Sequence, residues 1–275
     1  MSFIDKKFTE PIGDMKLLIV LLPCMGGNIM TYRYPVKNWN RSGYGVLYFN
    51  PPGHGKSDGV FHFEKTCELL KIELDKILNT YGKDIPITGI GHSGGGSTLM
   101  KFFYENSDYN LKKLILLSPI LDTVRSLREL YIRNNIQEFT NSLRLTDSRI
   151  LSILSNDKWL NPDYWEENDL KNLINDYSNE IINGAELGTF LENIFIPTKE
   201  VHSCIGRLKG QIVFIYPTKD IWYPIEEGVN YSNNFQFPYY TISSAKDHFF
   251  KNAWKFVSEK IDEIFLEIDK NKLTK

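Results

Sequence analysis

Cysteine is scarce in this chain, and the few present are badly placed for cross-linking. Cys24, Cys67 and Cys204 are odd in number and widely separated, which excludes a disulfide frame and any zinc-ligand spacing and predicts reduced thiols in a cytosolic protein. An excess of one charge is also missing. With 32 basic and 34 acidic residues the net charge is −2, so neither a nucleic-acid surface nor a polybasic membrane anchor is implied. Long apolar runs are absent too. The longest, Leu17–Leu22 with its neighbours, falls well short of the roughly 20 residues a membrane helix needs and reads as a buried strand. The opening residues, Met1-Ser2-Phe3-Ile4-Asp5-Lys6-Lys7, lack the apolar core of a secretion signal, and the sequons at Asn40 and Asn230 therefore have no secretory context. These absences predict a soluble cytoplasmic protein with no integral membrane association and no nucleic-acid partner.

What remains is an ordinary globular composition over 275 residues, enough for one α/β domain. Short apolar runs alternate with amphipathic stretches, the pattern of a mostly parallel sheet covered by helices. The runs are Leu17–Leu22, Gly45–Phe49, Ile85–Ile90, Leu114–Leu117 and Ile212–Tyr216, with a weaker one at Tyr239–Ile242. Leu70, Leu74, Ile77, Leu78 and Tyr81 recur at helical spacing, and Gly82 is a helix stop. Leu99, Phe102 and Phe103 give a second helical face; Trp254, Val257, Ile261, Ile264, Phe265 and Ile268 give a third. From about Asp122 to Leu208 no strand pattern appears, only polar helical pieces rich in Asn, Asp and Leu. So long an interruption predicts a helical cap over the strand ends, 122–208, inserted into a core of 1–121 and 209–275. Trp159, Tyr164, Trp165 and Tyr177 either line a pocket in that cap or dock it on the sheet.

Gly91-His92-Ser93-Gly94-Gly95 spells G-x-S-x-G between an apolar strand and a helical pattern opening at Ser97. In that context a serine is held exposed on a sharp strand-to-helix turn, with glycines on either side where backbone must pass closely. A serine nucleophile needs a base, an acid that orients the base, and donors for the oxyanion. Loops at the carboxyl ends of parallel strands gather at one edge and can supply all three. His248 follows the last strand and precedes the final helix, which makes it the best base of five histidines. His54 lies in a glycine turn, His92 is too close to the serine to swing back, and His62 and His202 have no supporting context. Asp220 follows the strand Ile212–Tyr216 and completes the order Ser, Asp, His. Asp122, after the preceding strand, is the rival acid. The backbone N–H groups of Gly94 and Met25 are the expected oxyanion donors, and Cys24, His92, Trp222 and Phe249 the expected substrate-binding residues.

These landmarks, together with Asn50-Pro51-Pro52-Gly53-His54-Gly55-Lys56-Ser57-Asp58-Gly59, resemble the α/β-hydrolase superfamily over nearly the whole chain. The last stretch is similar to its D-x-P-G-x-G-x-S loop, with Asn50 in place of aspartate. The resemblance implies an α/β-hydrolase fold with flanking helices, a helical cap inserted after the sixth strand, and a shortened N-terminal hairpin. It implies catalytic roles for Ser93, Asp220 and His248, with no metal and no cofactor. Two subfamilies share the motifs. Pro23-Cys24-Met25-Gly26-Gly27 and Asp247-His248-Phe249-Phe250 are similar to stand-alone thioesterases of peptide and polyketide synthases. The Pro52–Gly59 loop looks like monoacylglycerol-lipase and general esterase relatives. The implied activity is hydrolysis of an ester or thioester through an acyl-enzyme, thioesterase-like, on a small acyl substrate either free or presented on an acyl carrier protein or coenzyme A. The alternatives are an acyltransferase, a carboxylesterase or lipase, and a non-catalytic ligand-binding protein on a hydrolase scaffold.

Overall fold

Leu17–Leu22 is apolar at every position, and a strand of that kind must be covered on both faces. The computed structural model describes residues 3–121, 181–182, 185–186, 204–220, 223 and 225–273, and in it this strand lies inside a seven-stranded sheet. The strands are β1 (Lys6–Thr9), β2 (Leu17–Leu22), β3 (Tyr44–Phe49), β4 (Ile87–His92), β5 (Leu111–Leu117), β8 (Ile212–Pro217) and β9 (Tyr239–Ile242), in the order β1-β3-β2-β4-β5-β8-β9. All neighbours pair in parallel except β1, which runs antiparallel to β3. The expected N-terminal hairpin is thus represented by one antiparallel strand among the described residues. Among the described residues β5 is the fifth strand in the chain, and the 122–203 stretch follows it, whereas a sixth strand was expected to precede that stretch.

Strand alternation sorts the side chains into two cores. Leu18, Val20 and Leu22 pack with α2 (Phe63–Tyr81), α3 (Gly94–Glu105) and Tyr231 of α4 (Ile225–Phe235). Leu17, Ile19 and Leu21 face the other way, onto α1 (Val36–Arg41) and α5 (Trp254–Leu273). Each such aliphatic side chain contributes about 1.5–3 kcal/mol on full burial. With helices on both faces, the loops that leave the parallel strands gather at the carboxyl edge of the sheet.

The boundaries moved for identifiable reasons. Strand β4 starts after Pro86, which has no N–H to give, and continues through Gly91 and His92 because these pair with Leu116 and Leu117. Strand β5 begins at Leu111 and carries Lys112 and Lys113 at its outer end, where the lysines reach solvent. Helix α2 ends where expected: the Gly82 N–H donates to the Leu78 carbonyl (2.8 Å) with φ at 127°. The 122–208 stretch is not wholly helical. Strands β6 (Ile181–Ile182) and β7 (Ala185–Glu186) form an antiparallel pair within it, too short to leave a periodic signal. At its end, 204–207 are helical. Asp122, Trp159, Tyr164, Trp165, Tyr177 and His202 lie outside the described residues.

Candidate active site

The turn from β4 into α3 is built around backbone that cannot accommodate side chains. A β-carbon on Gly95 would stand 2.2 Å from the Pro23 carbonyl oxygen, and one on Gly91 would stand 2.6 Å from the Gly95 carbonyl oxygen. Ser93 sits between them at φ 53°, ψ −122°, a left-handed conformation unusual for a residue with a β-carbon. Its N–H donates to the Leu117 carbonyl (2.9 Å), and its own carbonyl accepts from Gly96 (2.9 Å). The serine is thereby fixed at the N-terminal end of a 12-residue helix, where the helix dipole favours negative charge.

Asp220 leaves the end of β8, and His248 follows β9. The His248 Nδ1–H donates to the Asp220 carboxylate at 2.7 Å, and both side chains are 1 % exposed. The second carboxylate oxygen accepts from the Tyr223 N–H at 3.0 Å. Thr218 ties the two loops together, its N–H and hydroxyl both donating to the Ala245 carbonyl (2.9 and 2.6 Å). Asp247 shapes the loop as an N-cap would: one carboxylate oxygen accepts from the N–H groups of Phe249 and Lys251. With Nδ1 committed to a carboxylate, Nε2 is the basic nitrogen of a neutral His248.

The turn after β2 is equally specified. The Cys24 N–H donates to the Tyr32 hydroxyl (3.0 Å), Gly26 to His54 Nε2 (2.9 Å), Gly27 to the Cys24 carbonyl (2.9 Å), and Ile29 to Asn50 Oδ1 (2.8 Å). Among the described residues, the Met25 N–H has no acceptor. It lies 3.8 Å from where a Gly94 β-carbon would be, so the two expected oxyanion donors are neighbours. His54, weighed in the sequence only as a base, holds this turn instead. Its Nδ1–H donates to the Pro52 carbonyl (3.0 Å), and burial lowers its pKa.

The remaining expected residues divide. Phe249 is 42 % exposed, with its ring 5.3 Å from that of His248. Cys24 is buried, and burial pushes its thiol pKa up, away from a nucleophilic thiolate. His92 does not open to a ligand: it is 1 % exposed and both ring nitrogens hold protein partners, the Tyr32 hydroxyl (2.7 Å) and the His248 carbonyl (2.9 Å). Its expected place among substrate-contacting residues is therefore corrected to a buried one. Trp222 lies outside the described residues. Tyr32, which no spacing in the sequence marks, is the polar residue that sequence reading missed. No group of His, Cys, Asp and Glu among the described residues could hold a metal ion.

Strand order, elbow and interrupted sheet define the α/β-hydrolase fold. The chain belongs to the hydrolase family described as serine aminopeptidase S33, which matches residues 13–176, more than half of it. No curated protein matches the sequence. Among solved structures, Est1E from Butyrivibrio proteoclasticus, determined with ferulic acid bound, is 18 % identical, with 97 % of this chain and 95 % of that one aligned at a TM-score of 0.65. A thermostable carboxyl esterase from Bacillus coagulans is 18 % identical over 98 % and 97 % of the two chains, with a TM-score of 0.62. A monoacylglycerol lipase from Paleococcus ferrophilus is 16 % identical over 94 % and 99 %, with a TM-score of 0.53.

Proposed function

We propose that the protein is a serine-dependent acyl hydrolase that cleaves a carboxylic ester through an acyl-enzyme intermediate. The observation that carries this reading is the buried Asp220–His248 hydrogen bond at the same sheet edge as the strained Ser93 elbow. Ser93 Oγ attacks the acyl carbonyl as its proton passes to His248 Nε2, and the carbonyl electron pair moves onto oxygen. The amides of Met25 and Gly94 stabilise that oxyanion. The tetrahedral intermediate collapses, the C–O bond to the leaving group breaks, and His248 returns the proton to the departing alkoxide. Water then repeats the sequence on the acyl-serine. Asp220 holds the tautomer and stabilises the imidazolium without taking its proton. The 122–208 stretch is the segment to which we assign selection of the acyl chain, as a cap over this edge.

An oxygen ester is favoured because the similar folds named above include a carboxyl esterase and a lipase. A thioester, delivered by coenzyme A or an acyl carrier protein, is the second reading; the Pro23–Gly27 turn favours it. Transfer to an acceptor other than water differs only in what deacylates Ser93. The three are separated by kcat/KM for matched p-nitrophenyl esters and acyl thioesters, with and without alcohol or amine acceptors. A burst of leaving group equal to the enzyme concentration is expected with the oxygen ester. Turnover of neither substrate, or turnover undiminished in Ser93→Ala, refutes the serine reading; a thioester preference moves it to the second.

A further inference from the structure

We propose that Tyr32 and His92 are positioning residues that lock the oxyanion turn, the nucleophile elbow and the base loop into one mutual geometry. The inference rests on the roles just assigned to Met25, Ser93 and His248. Its basis is a hydrogen-bond chain whose directions are all determined. The His248 carbonyl can only accept, so His92 Nε2 carries the proton and donates to it at 2.9 Å. His92 Nδ1 is then an acceptor, and the Tyr32 hydroxyl donates to it at 2.7 Å. The Tyr32 oxygen in turn accepts the Cys24 N–H at 3.0 Å. Cys24 immediately precedes Met25, and His92 immediately precedes Ser93. The chain thus connects the residues beside an oxyanion donor and the nucleophile to the base residue itself, across segments that are 60 and 156 residues apart.

The geometry leaves the relay little freedom. The Tyr32 ring is fixed by Trp254 (centroids 4.9 Å apart), Tyr34 (5.8 Å) and His92 (5.7 Å). His92 packs at 4.9 Å from the His248 ring. Burial, with the neighbouring His248, holds the His92 pKa down to about 3, so the ring stays in the neutral form the chain requires. The Tyr32 hydroxyl and both His92 nitrogens are committed to protein partners, so the chain acts through where it holds others.

Tyr32→Phe is the informative variant, because it keeps the ring packing and removes only the hydroxyl. In folded protein, confirmed by circular dichroism, kcat is expected to fall about a hundredfold, the usual consequence of ångström-scale misplacement of reacting groups. KM should stay within about threefold of wild type, since no substrate contact is removed. Affinity for an alkyl boronic acid, which forms a tetrahedral anionic adduct on Ser93, should fall in parallel with kcat. His92→Phe should lose a similar factor, and the double variant no more than the larger single loss. Active wild type with Tyr32→Phe at wild-type kcat overturns the relay and leaves the hydrolase reading standing. A loss confined to KM, or multiplicative losses in the double variant, also overturns it. Wild type that neither hydrolyses esters nor binds the boronic acid overturns both.

Discussion

The elbow glycines make a prediction with opposite signs at adjacent positions. An alanine β-carbon at position 95 would stand 2.2 Å from the Pro23 carbonyl oxygen and 2.9 Å from that of Leu22. Relieving the first contact requires a movement of about 1 Å, because nonbonded carbon and oxygen tolerate little under roughly 3.2 Å. Both neighbours are backbone, one of them a proline, so no flexible side chain can give way. Overpacking of this kind costs about 1–3 kcal/mol. For a domain of this size that lowers Tm by roughly 2–12 °C. Because Pro23 leads directly into the Cys24–Gly27 turn, the same movement displaces the Met25 amide, and kcat should fall about a hundredfold. At position 94 the nearest atom to an added β-carbon is Met25 Cε, at 3.6 Å, an ordinary contact. Gly94→Ala keeps its N–H and improves the first turn of α3 by up to about 1 kcal/mol, so Tm should hold or rise and kcat stay within about tenfold. Thermal unfolding and steady-state ester hydrolysis on the two variants decide the matter. Wild-type Tm and kcat in Gly95→Ala, or equal losses at both positions, would refute the close-packed elbow.

Three further outcomes follow from the same geometry. Asp220→Asn should lose roughly ten-thousandfold in kcat with KM little changed, since an amide cannot hold the His248 tautomer; a near-wild-type rate would transfer the role to Asp122. Stability should decline as pH falls below about 6.5, because His92 and His54 are buried neutral while their unfolded counterparts bind protons. With the folded pKa of His92 near 3, that contribution is complete above 6.5 and shrinks by about 1.4 kcal/mol per pH unit below it. Urea midpoints that are flat between pH 7.5 and 5 would contradict the buried-neutral assignment. Gly228→Ala should destabilise the protein by about 1–3 kcal/mol, since the new β-carbon would stand 2.1 Å from the Tyr216 hydroxyl; unfolding as stable as wild type would show that α4 can shift outward.

Sequence legibility followed the length and strength of the local signal. Strands β2 and β9 and the start of α5 fell where the apolar pattern put them, and the Gly82 stop held, because each is encoded by contiguous residues. Helix α1 was illegible: six residues behind Pro35 are too few for a helical period. Helix α4 carries Gly228, Asn230, Asn233 and Asn234, all weak helix formers. Its helicity comes from packing, with Gly228 against Tyr216 and Tyr231 in the core. At the site, the strand ends and the order of Ser93, Asp220 and His248 in the chain pointed to the residues the fold brings to one edge. The roles of Tyr32, His54 and Thr218 could not be read. Each depends on a partner far along the chain, His92 for Tyr32, Gly26 for His54 and Ala245 for Thr218, and no spacing or residue type records it. His92 misled because its position beside Ser93 suggested a pocket wall, whereas its ring is buried and both its nitrogens are held by Tyr32 and His248.

The central claim is that Ser93 is an activated nucleophile, and covalent labelling by a fluorophosphonate tests it most directly. Intact-mass and peptide analysis should find one adduct per chain, on Ser93, with none in Ser93→Ala and a much slower reaction in His248→Ala. Folded wild type that stays unlabelled, or an adduct on another residue, would contradict it.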